Sequence, residues 1–238
     1  MTKIFTALGT MSGTSFDGID LSIIITDGKK IYKIEKNEYY PFNNNLIKKL
    51  KDFKKKIQFI NELNSISKLK SFKLISDEIT KCHIIASKKI ISKFKKKIDI
   101  IGFHGITIIH KPKKNFTLQL GNPIYLKEKL KTKIVFNFRD QDIINGGEGA
   151  PLTPIYHLAL TKKLKNKKHS VFINIGGISN LTFINNNKLI AYDIGPGNCL
   201  LDSWIGYFLK NKYDTKGSIS KKGNIDYLIA NSFIEKLK

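Results

Sequence analysis

Gly9-Thr10-Met11-Ser12-Gly13-Thr14-Ser15-Phe16-Asp17-Gly18-Ile19-Asp20 separates two apolar runs, Ile4–Leu8 and Leu21–Thr26. The arrangement reads as strand, tight polar turn, strand. Glycines let a backbone approach a ligand closely and adopt positive φ without steric cost. Hydroxyl side chains and a row of free backbone N–H groups can then cup phosphate oxygens. Asp17 and Asp20 are placed to hold a metal ion or its water shell beside such a phosphate. A hairpin loop of ordinary turn formers would carry much the same residues, so the turn alone leaves both readings open.

Outward from this turn the pattern alternates. Lys30–Glu38 mixes Ile and Tyr with Lys as a half-buried strand does. From Asn43 to Lys97 the apolar spacing becomes helical, with Leu46, Leu50, Phe53 and Ile57 recurring at three and four and Ile75, Ile79, Ile84, Ile85 and Ile91 recurring in a similar helical pattern. Ile98–Phe103 predicts a buried strand ending at His104-Gly105, followed by a strand at Phe116–Leu120, a helix at Pro123–Leu130 and a strand at Lys133–Phe138. Arg139 to Pro151 reads as a glycine-rich loop, with Gly146, Gly147 and Gly149 among the acids Asp140, Asp142 and Glu148. A helix over Leu152–Leu164 follows, its first turn opened by Pro151.

The lysine-rich stretch Lys162–Lys168 is the expected boundary between a domain of residues 1–165 and a second of 166–238. Beyond it the first pattern returns faintly: strand Val171–Ile175, turn Gly176–Asn180, strand Leu181–Ile184. Leu189–Tyr192 then leads through Asp193-Ile194-Gly195-Pro196-Gly197-Asn198 to a helix at Cys199–Leu209. Strands alternating with helices define an α/β class.

Composition narrows the function. With 238 residues, 41% hydrophobic and 26% charged, the chain has the make-up of an ordinary globular protein. No apolar run approaches the roughly 20 residues that span a bilayer. A signal peptide would place its cleavage region inside the polar turn, so a cytoplasmic chain is expected. Cys82 and Cys199 lack metal-ligand spacing and read as free thiols, and Cys82-His83 as ordinary helix residues. The net charge of +23 invites a nucleic-acid partner, yet of 42 basic residues only Arg139 is an arginine. Lysine offers only a point charge where base and phosphate readers favour the arginine fork. The aromatic residues do not interleave with the lysines as a base-stacking platform requires, so no nucleic acid and no membrane partner is expected.

Five loops together carry a resemblance. The opening turn, His104-Gly105-Ile106-Thr107, Gly146-Gly147-Glu148-Gly149-Ala150-Pro151-Leu152, Asn174-Ile175-Gly176-Gly177-Ile178-Ser179-Asn180 and Asp193-Ile194-Gly195-Pro196-Gly197-Asn198 are similar, in order and spacing, to anhydro-N-acetylmuramic acid kinases. The resemblance implies the superfamily of sugar kinases and actin, with two ribonuclease-H-like α/β domains, the second incomplete here, and a site between them. It implies an ATP-dependent enzyme of cell-wall recycling that uses Mg2+. Such an enzyme opens the 1,6-anhydro ring of 1,6-anhydro-N-acetylmuramic acid with water and phosphorylates O6. Asp193 matches the catalytic base, although its position alone favours a helix cap. Gly13, Thr14, Ser15, Phe16, Asp17, Gly18, Ile19 and Asp20 match the ATP-contacting loop, and the metal ligand is left open between Asp17 and Asp20.

His104, Arg139, Gly147 and Asn174 are the expected substrate contacts. His104 could instead cap its strand, and Arg139 could form an ion pair with Asp140 or Asp142. The resemblance also implies departures: Ile106 where Gln is usual, Asn137 for Asp, and Glu148 for Gln. It further implies a longer chain with a Gly-Gly-Gly loop near the adenosine, which nothing after Asn198 matches. The alternative is an inactive sugar-binding remnant of the family. A homodimer is left open.

Overall fold

In the computed structural model the described residues are 3–60, 62–162, 169–186 and 188–236. The opening turn is tighter than its sequence suggests. Strand β1 runs Phe5–Ser12 and β2 runs Gly18–Thr26, so the polar residues Gly9–Ser12 belong to the strand and the turn shrinks to residues 13–17. The reason lies in the ladder: Gly9 pairs with Ser22, Thr10 with Leu21 and Met11 with Asp20 through backbone atoms that are indifferent to side-chain polarity. Strand β3, Ile31–Pro41, completes an antiparallel meander.

The helical stretch resolves into α1 (Asn44–Ile57), a short 3-10 segment at Leu63–Lys68, and α2 (Lys70–Phe94). Asn43 caps α1 by accepting from the Leu46 N–H at 2.8 Å. These helices carry the chain over to β4 (Ile100–Lys111), which lies parallel to β1. Strand β4 does not end at His104-Gly105 as the sequence suggests. It continues because Gly105 adopts φ +68°, a conformation closed to most side chains, and a Cβ there would run into the Leu120 carbonyl. Strand β5 (Phe116–Leu120) and helix α3 (Pro123–Leu130) fall on their expected residues. Strand β6 stops at Val135, short of Phe138, and residues Phe138–Ile144 form a helix, α4, where a loop was expected. The switch occurs at Asn137, which takes the left-handed conformation (φ +60°) that Asn tolerates better than most residues.

The sheet order is β3-β2-β1-β4-β5, with β6 also on β4. Along β1 and β2 the burial alternates: Leu8, Ile19, Leu21 and Ile23 face the core made with α1 and α2, whereas Gly9, Met11 and Asp20 face the other way. On that other face Gly9 stands between Ser22 and Gly102 in register. Three small residues in a row floor an open groove of about 640 Å³, walled by Met11, Asp20, Tyr39 and Phe138.

After α5 (Pro154–Thr161) the expected boundary at residues 163–168, and the last two residues of the expected helix, lie outside the described residues. Strands β7 (His169–Ile175), β8 (Ile178–Asn185) and β9 (Lys188–Pro196) form a sheet in that order. Strand β9 extends past Tyr192 and takes in Asp193. Helix α6 (Cys199–Leu209) matches expectation, and α7 (Tyr227–Glu235) follows. Contacts divide the chain into two units, Met1–Val171 with Thr182–Ala191, and Phe172–Leu181 with Tyr192–Lys238. Among the described residues no helix is long and apolar enough to cross a membrane.

Candidate functional site

In the first unit, the turn between β1 and β2 is held at its far end by the core. The Phe16 ring is buried at φ +60°, and Phe42 donates its N–H to the Asp17 carbonyl at 2.9 Å. Gly18 and Ile19 are buried too, so of the eight residues expected to contact nucleotide, Phe16 and Ile19 have only backbone to offer. Thr14, Ser15, Asp17 and Asp20 are exposed. Ser15 Oγ donates to Asp17 Oδ1 at 2.5 Å. Partial burial, and then the charge of Asp17, raise the Asp20 carboxyl above its ordinary value.

A second cluster gathers around Arg139 in α4. Its Nε–H donates to His104 Nε2 at 2.8 Å and its Nη1 to the Gly149 carbonyl at 2.6 Å. Because His104 Nε2 accepts, the ring proton sits on Nδ1, which lies 3.0 Å from the Gly105 carbonyl and donates to it. Burial, and then the Arg139 charge, lower His104 to about 4, against the opposing pull of that carbonyl. Both ring nitrogens of His104 are therefore spent within the protein. The group left to reach a ligand is Arg139, whose Nη2 donors have no partner among the described residues. No carboxylate pairs with it there; Asp142 instead accepts the Gly149 N–H at 2.7 Å, one step removed. Gly147 donates its N–H to the Asp142 carbonyl at 2.8 Å, and a Cβ on Gly147 would collide with the Asp142 carboxylate. The glycine requirement here is internal to the loop. A small cavity of about 100 Å³ opens beside this cluster, lined by His104, Gln119, Asn137 and Asp140.

The second unit holds Asn174 and Asp193, both exposed. The tip of the β7–β8 hairpin is laced to the start of α6: Gly197 donates to the Gly177 carbonyl at 2.9 Å and Asn198 to that of Gly176 at 2.7 Å. Asn198 Nδ2 also donates to the Ile175 carbonyl at 3.2 Å. This fixes the Gly195–Asn198 turn that follows Asp193. The Asp193 carboxylate has no partner among the described residues and is not a helix cap: α6 starts after Asn198.

The family model for anhydro-N-acetylmuramic acid kinase matches residues 5–236. The chain belongs to that family. A relative of the same name from Pelagibacter ubique (strain HTCC1062) is 40% identical over 238 residues, covering 99% of this chain and 63% of its own length. One from Bradyrhizobium diazoefficiens is 36% identical over 94% of this chain and 61% of its own. The chain thus spans a little under two thirds of the length of these relatives. Among solved structures, an exopolyphosphatase-like protein aligns over 87% of this chain and 55% of its own, at 12% identity and a TM-score of 0.44.

Two departures from the family pattern now have a physical setting. Ile106 is wholly buried in the core, where an apolar side chain packs without the partners an amide needs. Asn137 occupies the left-handed turn before α4, a conformation that Asn and Asp share. Glu148 is exposed.

One residue read as an ordinary helix residue makes a contact the sequence did not announce. His83, in α2, is fully buried beneath the end of β1, and its burial, then the neighbouring His104, push it down to about 3. The available signal was helical: His83 falls four residues after Ile79 on the apolar face. Both histidines give the fold an acid sensitivity with a defined sign. Between pH 6.5 and about 4 the unfolded chain binds protons that the folded chain refuses, so stability is full above pH 6.5 and falls as the pH drops. Melting followed by circular dichroism from pH 7 to 4.5 is expected to show a loss approaching about 1.4 kcal/mol per pH unit for each histidine. His104→Gln should reduce that slope; a wild-type melting temperature flat over this range would contradict the assignment.

Proposed function

We propose that this chain is an ATP-dependent kinase domain acting on 1,6-anhydro-N-acetylmuramic acid to give N-acetylmuramic acid 6-phosphate. The family match over residues 5–236 carries this reading, and the five motif segments, present in order along the chain, support it. Water attacks C1 on the face opposite the bridge while Asp193 takes its proton. The C1–O6 bond breaks, and O6 attacks the γ-phosphorus of ATP with ADP departing. A carboxylate without a partner among the described residues suits a base, since none of those groups occupies its lone pairs. Gly13 to Asp20 would hold the nucleotide phosphates, by backbone amides and by the exposed Thr14 and Ser15 hydroxyls. Arg139, oriented by His104 and Gly149, has a donor edge suited to the lactyl carboxylate of the sugar or to a phosphate. Gly147 and Asn174 are the remaining sugar contacts in this reading.

Mg2+ fits the first turn. Asp17 and Asp20 are exposed and near enough for one charge to raise the other's carboxyl, a repulsion a cation relieves. Magnesium takes one or two carboxylates alongside phosphate oxygens, and when bound it would neutralise phosphate charge. Among the described residues no cluster of three His, Cys, Asp or Glu could hold a metal by itself.

The ribonuclease-H-like reading rests on connectivity. In the order β3-β2-β1-β4-β6, β2 runs against the other four, and α1 and α2 carry the chain from β3 to β4, which lies parallel to β1. We read residues 1–165 as one such domain and 166–238 as the first part of another. The latter is supported by the greater length of the relatives and by the exposed aromatic side chains Trp204, Tyr207 and Phe208 of α6. A cytoplasmic location fits an intracellular ATP supply. The test is ADP release: addition of the anhydro sugar to enzyme and Mg-ATP is expected to raise it well above the sugar-free rate. No sugar-dependent increase would overturn the reading for this chain.

A further inference from the structure

Ser12 closes β1 and opens the turn assigned to the nucleotide phosphates. Its side chain points into the protein and is 1% exposed. His83 Nε2 lies 3.2 Å from Ser12 Oγ. The imidazole is fully buried, and it stands edge-on to the Phe103 ring at 4.9 Å and 88°. Its other nitrogen, Nδ1, has no hydrogen-bond partner among the described residues. A leucine would fill this place without an unpartnered ring nitrogen but would leave the buried Ser12 Oγ without its partner, so the contact with Ser12 is what the histidine contributes there. Ser12 Oγ and His83 Nε2 share one hydrogen bond, in which either atom can be the donor, the roles being set by the imidazole tautomer.

We propose that His83 is a positioning residue that fixes the near end of the phosphate-holding turn through the hydrogen bond between its Nε2 and Ser12 Oγ. This rests on reading residues 13–17 as the phosphate turn. The far end of that turn is already pinned by the buried Phe16 ring and by Phe42 N–H on the Asp17 carbonyl. Among the described residues no other hydrogen bond ties the near end to α2. Without it, Ser12 is held only by its strand pairing with Ile106 and loses its side-chain tie to α2, and the aim of the following backbone N–H groups at a bound phosphate loosens. The same ring braces Phe103, whose neighbour His104 orients Arg139, so one buried imidazole steadies both loops of the first unit.

Three variants test this by calorimetric titration with Mg-ATP, with melting recorded alongside. His83→Leu is expected to weaken ATP binding about tenfold, the effect of one lost buried hydrogen bond. His83→Gln, whose amide nitrogen reaches nearly the same point as Nε2, should remain within about twofold of wild type. Ser12→Ala should reproduce the effect of His83→Leu, and the double variant should be no worse than either, because both remove one interaction. A purely structural histidine would instead shift melting in both His83 variants and leave ATP affinity unchanged in folded protein. That result, or additive Ser12 and His83 losses, would overturn the positioning role while leaving the phosphate turn standing. Wild-type protein that binds no Mg-ATP would overturn the phosphate turn and the proposal with it.

Discussion

Asp193→Asn is expected to lower kcat for the anhydro sugar by about 10²- to 10⁴-fold, the usual contribution of a positioned general base. The substitution keeps size and polarity and removes only the ability to take a proton. The carboxylate is exposed and without a partner among the described residues, so stability should change little. The local frame should persist as well, because the Gly195–Asn198 turn is held by Gly176, Gly177 and Ile175 rather than by Asp193. KM for ATP should stay close to wild type. Comparable kcat in the two proteins, measured by coupled ADP release, would remove Asp193 from the role of base.

Arg139→Ala is expected to cost roughly 2–4 kcal/mol of stability, because it strands His104 Nε2 and the Gly149 carbonyl at about 1–3 kcal/mol each. KM for the sugar should rise more than tenfold, since the free edge of the guanidinium disappears along with the loop it fastens. Arg139→Lys separates the two effects. A lysine can reach one acceptor but cannot hold two in a plane while presenting further donors, so it should recover part of the stability and little of the sugar affinity. Urea denaturation and steady-state kinetics on the same preparations measure both. Unchanged sugar KM in the lysine variant would mean that Arg139 serves the loop alone.

Much of this architecture was legible in the sequence wherever one signal acted alone. Pro123 and Asn122 start α3, and the apolar alternation of Phe116–Leu120 sets β5, so these elements fall where expected. The readings that shifted are those where backbone conformation overrides side-chain character. Gly105 reads as a strand end, yet its positive φ lets β4 continue along β5. Asn137 reads as strand, yet its left-handed turn launches α4 and carries Arg139 to His104. Such turns depend on tertiary neighbours, and a residue string does not display them. The loops proposed to bear the chemistry stand out because glycine, hydroxyl and carboxylate residues cluster in them. His83 does not, since a histidine on an apolar helical face looks like any core residue until its partner across the sheet is known.

Product analysis in water enriched in 18O tests the central claim most directly. With Mg-ATP and the anhydro sugar, the account predicts N-acetylmuramic acid 6-phosphate carrying the heavy oxygen at C1 and none in the transferred phosphate, with one ADP formed per sugar consumed. Heavy oxygen appearing in free phosphate, with the anhydro ring intact, would show simple ATP hydrolysis and contradict it.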